Sequence, residues 1–215
     1  MKHRVTETVV FGPLSVTFDD KVLRPRPWTL AQSTWAAELA GTVPAGRILE
    51  LCCGAGQIGI AAAVNASRGL VLIDADATAC HYAGANAAAA GISARVEVRC
   101  GSMDVALEAA EVFPLILADP PWVCSADTTR FPDDPLLAID GGPDGLDLAR
   151  SCVENIGRHL GSDGAAVLQL RDEDQAARIQ AHLVQRPQIG LRLSEVRTSA
   201  PHGCLAKLTR PTTPT

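Results

Sequence analysis

The sequence predicts an α/β protein whose parallel sheet is covered by helices on both faces. Three observations carry that expectation. Short apolar runs alternate with helical segments from Arg47 onward. A Gly-x-Gly-x-x-Gly turn, Gly54 to Gly59, follows the first of those runs and opens a helix. The second run ends on an acid, Asp74. At 215 residues and 47% apolar composition, the chain suits one domain with a sizeable core.

Along the chain, Val9-Val10-Phe11 and Leu14 to Phe18 alternate, and Val22-Leu23 lies beyond Asp19-Asp20. The expectation is a hairpin around the Asp-Asp turn, stopped by Pro25-Arg26-Pro27. Thr29 is placed to cap a helix running to about Ala40. Ile48 to Leu51 is the first core strand and Ile58 to Ala66 its helix. Leu70 to Ile73 is the second strand, followed by a helix over 77–90 that Gly91 ends. Arg95 to Val98 and Leu115 to Ala118 are the third and fourth strands. After a long loop come a helix at 146–160, a strand from Ala165 to Leu170 and a helix at 173–185. The last strands, near 189–197 and 203–209, are joined by Ser199 to Gly203 without a helix, which sets one of them antiparallel at the sheet edge. Ligand then sits beyond the carboxyl ends of the first and fourth strands, where the strand order switches.

Composition narrows the function classes. The net charge is −5 and only eight residues are aromatic, which disfavours non-specific nucleic-acid binding and an extended base-stacking platform. No stretch approaches a membrane span and no signal-like segment opens the chain, so a cytoplasmic protein is expected. Arginines outnumber lysines 16 to 3 amid frequent alanines, a bias of GC-rich bacterial genomes. The seven cysteines form no Cys-x-x-Cys pair. Reduced thiols are expected, without a metal site.

The glycines of the Gly54 turn permit a close approach of backbone to ligand, and the helix behind it presents free N–H groups. A dinucleotide would suit that turn equally well. Two features break the tie. Glu50-Leu51-Cys52-Cys53 stands before Gly54, so an acid lies at the strand tip, suited to a ligand cation such as the methionyl ammonium of S-adenosylmethionine. Asp74 can accept two ribose hydroxyls, which also suits NAD. Across the crevice, Asp119-Pro120-Pro121-Trp122 follows the fourth strand. The prolines make the segment rigid and without N–H donors, so the Asp119 carboxyl and the Pro120 carbonyl can hold the N–H groups of a planar amine while Trp122 offers a stacking face. Methyl transfer from a sulfonium needs such positioning more than it needs a strong base.

These motifs resemble those of class I S-adenosylmethionine-dependent methyltransferases, and more narrowly the HemK/PrmC-type protein-glutamine N-methyltransferases. Val22 to Pro27 with Thr29, and Asp140 to Asp147, are similar to further segments of that family, so the resemblance runs from about Phe11 to Leu208. It implies a Rossmann-like, mostly parallel sheet of seven strands with one antiparallel edge-region strand, preceded by the N-terminal β-hairpin. The division is then 1–28 as extension, 29–210 as methyltransferase domain and 211–215 as flexible tail. The resemblance implies S-adenosylmethionine as cofactor, held by Glu50, Cys52, Gly54, Gly56, Gln57, Asp74, Ala75, Ser102 and Met103, with Asp119, Pro120, Pro121 and Trp122 as the catalytic segment. Three departures stand out. The family's Asn-Pro-Pro-Tyr is Asp-Pro-Pro-Trp here, as in enzymes that methylate exocyclic amines of nucleobases. The helical substrate-binding domain that precedes the family's core has no counterpart. The acid that often meets the adenine amino group is Ser102, with Met103 and Asp104 beside it.

An aspartate accepts more strongly than asparagine and carries charge, which favours an amino, amidine or guanidine nitrogen as readily as a carboxamide. Trp28, with Arg24 and Arg26 beside it, is a candidate to line the substrate mouth. The acidic segments Asp133-Asp134 and Asp140 to Asp147 are a candidate lid. His81 and His159 read as surface or core-edge residues, and His202 has no evident partner. The expected function is N-methylation of a small molecule, natural products included, or of a protein. Nucleobase methylation is the alternative, ahead of a nicotinamide-dependent oxidoreductase and a non-catalytic scaffold.

Overall fold

In a computed structural model that describes residues 6–198 and 203–211, the chain forms two sheets that share one core. The smaller is a hairpin of β1 (Glu7–Phe11) and β2 (Leu14–Phe18). It turns at Gly12-Pro13 and not at Asp19-Asp20. Gly12 takes φ +55° and Pro13 cannot, the pattern of a two-residue hairpin turn with one left-handed position. Asp19 instead folds the chain back after β2, accepting Lys21 N on its carboxylate and Val22 N on its carbonyl, so Val22-Leu23 is a loop and not a strand. The hairpin is tied to the main body through Asn86, which is buried and exchanges two hydrogen bonds with Thr17 backbone and donates a third to Ala55 O.

The main sheet has seven strands: β3 (Ile48–Leu51), β4 (Leu70–Asp74), β5 (Val96–Cys100), β6 (Phe113–Ala118), β7 (Leu160–Leu170), β8 (Arg192–Thr198) and β9 (Cys204–Thr209). Their order is β5-β4-β3-β6-β7-β9-β8. Only β9 runs against its neighbours, and it lies one place in from the edge. The edge strand β8 is antiparallel to β9 and so points the same way as the rest, which leaves one antiparallel strand in the edge region, as expected. The turn Ser199 to His202, with His202 itself, lies outside the described residues, as do the first five and last four positions.

Strand alternation divides the core into two faces. Ile48, Leu70, Leu72, Leu115 and Leu117 point to the side covered by α1 (Leu30–Ala40), α2 (Gln57–Ala66), α3 (Ala77–Ala89) and the hairpin. Leu49, Leu51, Val71, Ile73 and Ile116 point to the other side, covered by α4 (Met103–Ala106), α6 (Asp147–His159) and α7 (Glu173–Gln185). A short α5 (Leu136–Ile139) lies in the loop between β6 and α6. Thr29 stands at the start of α1 but caps nothing with its side chain, because Pro27–Thr29 already forms a 3-10 turn and the Thr29 hydroxyl donates to Arg26 O. Among the described residues, no helix is long and apolar enough to cross a membrane.

Register places the site. β3 pairs with β4 as Leu51↔Ile73 and with β6 as Leu51↔Ala118, while β4 pairs with β5 as Asp74↔Cys100. The residues that leave these strands (Cys52, Asp74, Gly101 and Asp119) therefore emerge at one level on one end of the sheet.

Candidate functional site

At that end lies a cavity of about 700 Å³. Its inner wall is the turn after β3. Cys52, Gly54 and Gly56 all take left-handed backbone, at φ +57°, +53° and +79°. For Cys52, the non-glycine, that conformation costs about 1–2 kcal/mol. Its thiol meets Cys152 of α6 at 3.9 Å, and that contact together with burial holds it well above the ordinary thiol range. The two glycines serve different ends. A Cβ on Gly56 would meet Ile60, Leu72 and Ala83 within 3.2 Å, so Gly56 closes α2 onto the sheet and does not reach the cavity. A Cβ on Gly54 would meet nothing within 4 Å; its bare face opens on the cavity.

Asp74 holds this turn in place. Its Oδ2 accepts Gly54 N at 2.8 Å and its Oδ1 accepts Asp76 N at 2.9 Å, leaving lone pairs directed to the cavity it lines. Burial raises its pKa against the pull of those N–H groups. Ala75, Gln57, Ser102 and Met103 join the same wall. The Oε1 of Gln57 is buried there without a partner among the described residues.

Glu50 departs from expectation. It lies inside β3 on the face shared with Ile48, so it points under α2 and not into the cavity. It is 1% exposed, and its Oε2 accepts Gly59 N at 2.9 Å while Oε1 has no described partner. Burial raises its pKa well above the usual carboxylate range, opposed by the Gly59 bond and reinforced by Asp119 and Asp74. Its geometry is that of a brace beneath the glycine turn.

On the opposite wall, Asp119 and Pro121 line the cavity, whereas Pro120 and Trp122 do not. Asp119 receives no hydrogen bond from the described residues, and burial alone pushes its carboxyl up to about 7. The segment is clamped from behind. Gln32 of α1, fully buried, donates to Ala118 O and Val167 O. Gln175 of α7, also fully buried, donates to Trp122 O and Gly145 O. The Trp122 carbonyl is thereby committed to α7, and the half-buried Trp122 is not among the residues that line the cavity.

Arg26 and Trp28 also lie off the cavity wall. The Arg26 guanidinium stacks 5.8 Å over the Trp28 ring and grips Asp134 with two bonds of 2.7 and 2.6 Å. That pair joins the N-terminal extension to the acidic loop. The roof is formed by Lys21, Val22 and Leu23 of the extension, where the family-like segment begins, and by Pro135 to Ala138, which lie between the two acidic segments of the candidate lid. His81 is exposed, and the buried His159 ring contacts Glu111 O at 2.8 Å. A bare Gly54 face, a carboxylate with free lone pairs and an orphaned amide oxygen on one wall fit a cationic nucleoside ligand such as S-adenosylmethionine.

Residues 34–132 match the family model of the methyltransferase small domain. The chain is similar to the release factor glutamine methyltransferase of Gloeobacter violaceus, at 32% identity over 76% of this chain and 59% of that protein. It is also similar to the ribosomal protein uL3 glutamine methyltransferase of Bordetella pertussis, at 34% identity over 61% of this chain and 46% of that protein. The chain thus spans about half to three fifths of these relatives. Among solved structures, the human METTL16 catalytic domain bound to an RNA hairpin superposes with a TM-score of 0.70 at 13% identity, covering 92% of this chain and 76% of that one. The N-terminal domain of human METTL16 in complex with SAH gives 0.65 at 15% identity, over 92% and 76%. At these identities the structural likeness is one of fold.

Proposed function

We propose that this chain, which carries a methyltransferase small domain on the class I methyltransferase fold, transfers a methyl group from S-adenosylmethionine to a nitrogen acceptor. One observation carries the reading: register brings the bare face of Gly54, the Asp74 carboxyl and the unpartnered Asp119 carboxyl onto a single cavity. Asp74 and the Gly54 turn hold the donor's ribose, with Ala75, Ser102 and Met103 beside its base. Glu50 acts from behind by fixing Gly59. The bound donor supplies an electrophilic methyl group on a sulfonium. Asp119 orients the acceptor nitrogen by accepting its N–H, and Pro121 keeps that wall free of competing donors.

The acceptor belongs to a protein or a small molecule. The named targets of the relatives, a release factor and a ribosomal protein, support a protein and a cytoplasmic setting. A nucleobase amine is the second reading, favoured by Asp-Pro-Pro-Trp. Calorimetric titration of S-adenosylhomocysteine and NAD into the protein and its Asp74→Ala variant tests the assignment. Micromolar binding of the first ligand alone, lost in the variant, is expected. Binding of NAD would overturn it in favour of an oxidoreductase, and binding of neither would favour a scaffold.

A further inference from the structure

The charges that line the cavity are unevenly balanced. Six aspartates line the cavity (Asp74, Asp76, Asp104, Asp119, Asp140 and Asp147) against one cation, Lys21. Arg158 and Arg150 neutralise Asp104 and Asp147 in part, but Asp119 meets no cation and no donor among the described residues. Apolar side chains share the cavity with Asp119: Pro121, two residues on, and Val22, Leu23, Leu136 and Leu137 of the extension and α5. Leu136 and Leu137 are 60% and 69% exposed while lining the cavity, so they form its rim as well as its roof.

Resting on the methyltransferase reading, we infer that the acceptor subsite takes a protonated amine on an apolar stem, the ammonium meeting Asp119 and the stem lying against Val22, Leu23, Leu136 and Leu137. A carboxamide fits less well. Its N–H groups would find the Asp119 acceptors, but its carbonyl needs a donor, and asparagine, which would offer one, is absent here. A phosphodiester fits worst, since the wall repels it. Burial without a partner raises the Asp119 carboxyl to about 7. The burial that penalises the carboxylate also penalises the ammonium, so Asp119 takes the ammonium proton, the freed nitrogen lone pair forms the N–C bond as the methyl C–S bond breaks, and the donor leaves as a neutral thioether. Asp119 touches the acceptor in this arrangement and is a catalytic residue. The same chemistry is offered by a lysine side chain of a protein and by a free alkylamine.

The experiment measures binding to the protein saturated with S-adenosylhomocysteine. The probes are n-hexylamine, hexanamide, adenosine monophosphate, and the tripeptides acetyl-Leu-Lys-Leu-amide and acetyl-Leu-Gln-Leu-amide. The amine is expected to bind at least about tenfold tighter than the isosteric amide, weakening with salt, and Asp119→Asn is expected to abolish or invert that preference. Tighter binding of the lysine peptide than of hexylamine assigns a protein source, and the reverse a small-molecule source. Equal or tighter binding of hexanamide, or binding of the nucleotide, overturns the inference while leaving the methyltransferase assignment intact. Failure of S-adenosylhomocysteine itself to bind overturns both. The wild-type comparison stands even if the variant does not fold.

Discussion

Gly59→Ala tests the account of the buried glutamate. In a helix interior, alanine ordinarily gains about 1 kcal/mol over glycine. At Gly59 a Cβ would lie 2.4 Å from Glu50 Oε2 and 3.1 Å from Leu70 Cδ1 and Leu72 Cδ2. The carboxyl must move, and its bond to Gly59 N is lost with no second partner waiting, since Oε1 is already unpaired. Leaving that buried group unsatisfied costs about 1–3 kcal/mol. Crowding the two leucines adds about 1–3 kcal/mol. Set against the helix gain, Gly59→Ala destabilises by about 1–5 kcal/mol in urea unfolding at pH 7, with an unchanged slope. Gly84→Ala is the control: it sits inside α3 with nothing within 4 Å of its Cβ position, so it is expected to gain up to about 1 kcal/mol. A Gly59→Ala protein as stable as its parent would show that Glu50 does not brace α2, and would reopen its assignment to the cavity.

Three further outcomes are expected. Asp119 has a folded pKa of about 7, above its ordinary 3.8, so its contribution favours the folded state below pH 3.8 and is lost as pH rises through about 7. Asp119→Asn should therefore be more stable than the parent at pH 8 and no different at pH 3.5 by urea unfolding, and an equal margin at both would contradict a carboxyl whose ionisation the fold disfavours. Gln175→Leu leaves the Trp122 and Gly145 carbonyls without their shared donor and should cost about 2–4 kcal/mol, with Gln175→Glu no better because it cannot donate. Arg26→Ala removes a half-buried, two-bond ion pair and should cost about 1 kcal/mol or less globally, yet speed amide exchange at Ala138 in α5 and at Asp140 just past its end; unaltered exchange there would show that the pair does not tether the roof.

Most strands and helices of the core are legible in the sequence, as short apolar runs such as Leu70–Asp74 and as longer segments such as Ala77–Ala89 bounded by aspartate and glycine. The second strand ends on Asp74, and the helix after it, Ala77–Ala89, lies within the expected 77–90. The hairpin turn was misplaced because Gly-Pro and Asp-Asp are both turn signals, and only pairing decides which one closes a ladder. Of the site, the residues that leave strand ends (Cys52, Asp74, Asp119) were legible, since a strand's end marks its level in the sheet. Gln32 and Gln175 were not, because a glutamine inside a helix carries no local sign of the carbonyl it will meet across the chain. The segment from Val22 and the loop over 133–147 are each marked in the sequence, but not that Val22 and Leu137, distant along the chain, line one cavity.

The sequence by itself determined the α/β class, the glycine turn, the acid ending the second strand and the rigid Asp-Pro-Pro-Trp corner, because each is a property of neighbouring residues. Tertiary structure alone decided that Glu50 lies under α2, that Trp122 does not line the cavity and that Asp119 has no hydrogen-bond partner among the described residues in an acidic cavity with apolar lining. Those outcomes depend on which face of a strand is covered and on what packs behind a loop, and a buried charge acquires its energy only from the surroundings that folding assembles around it.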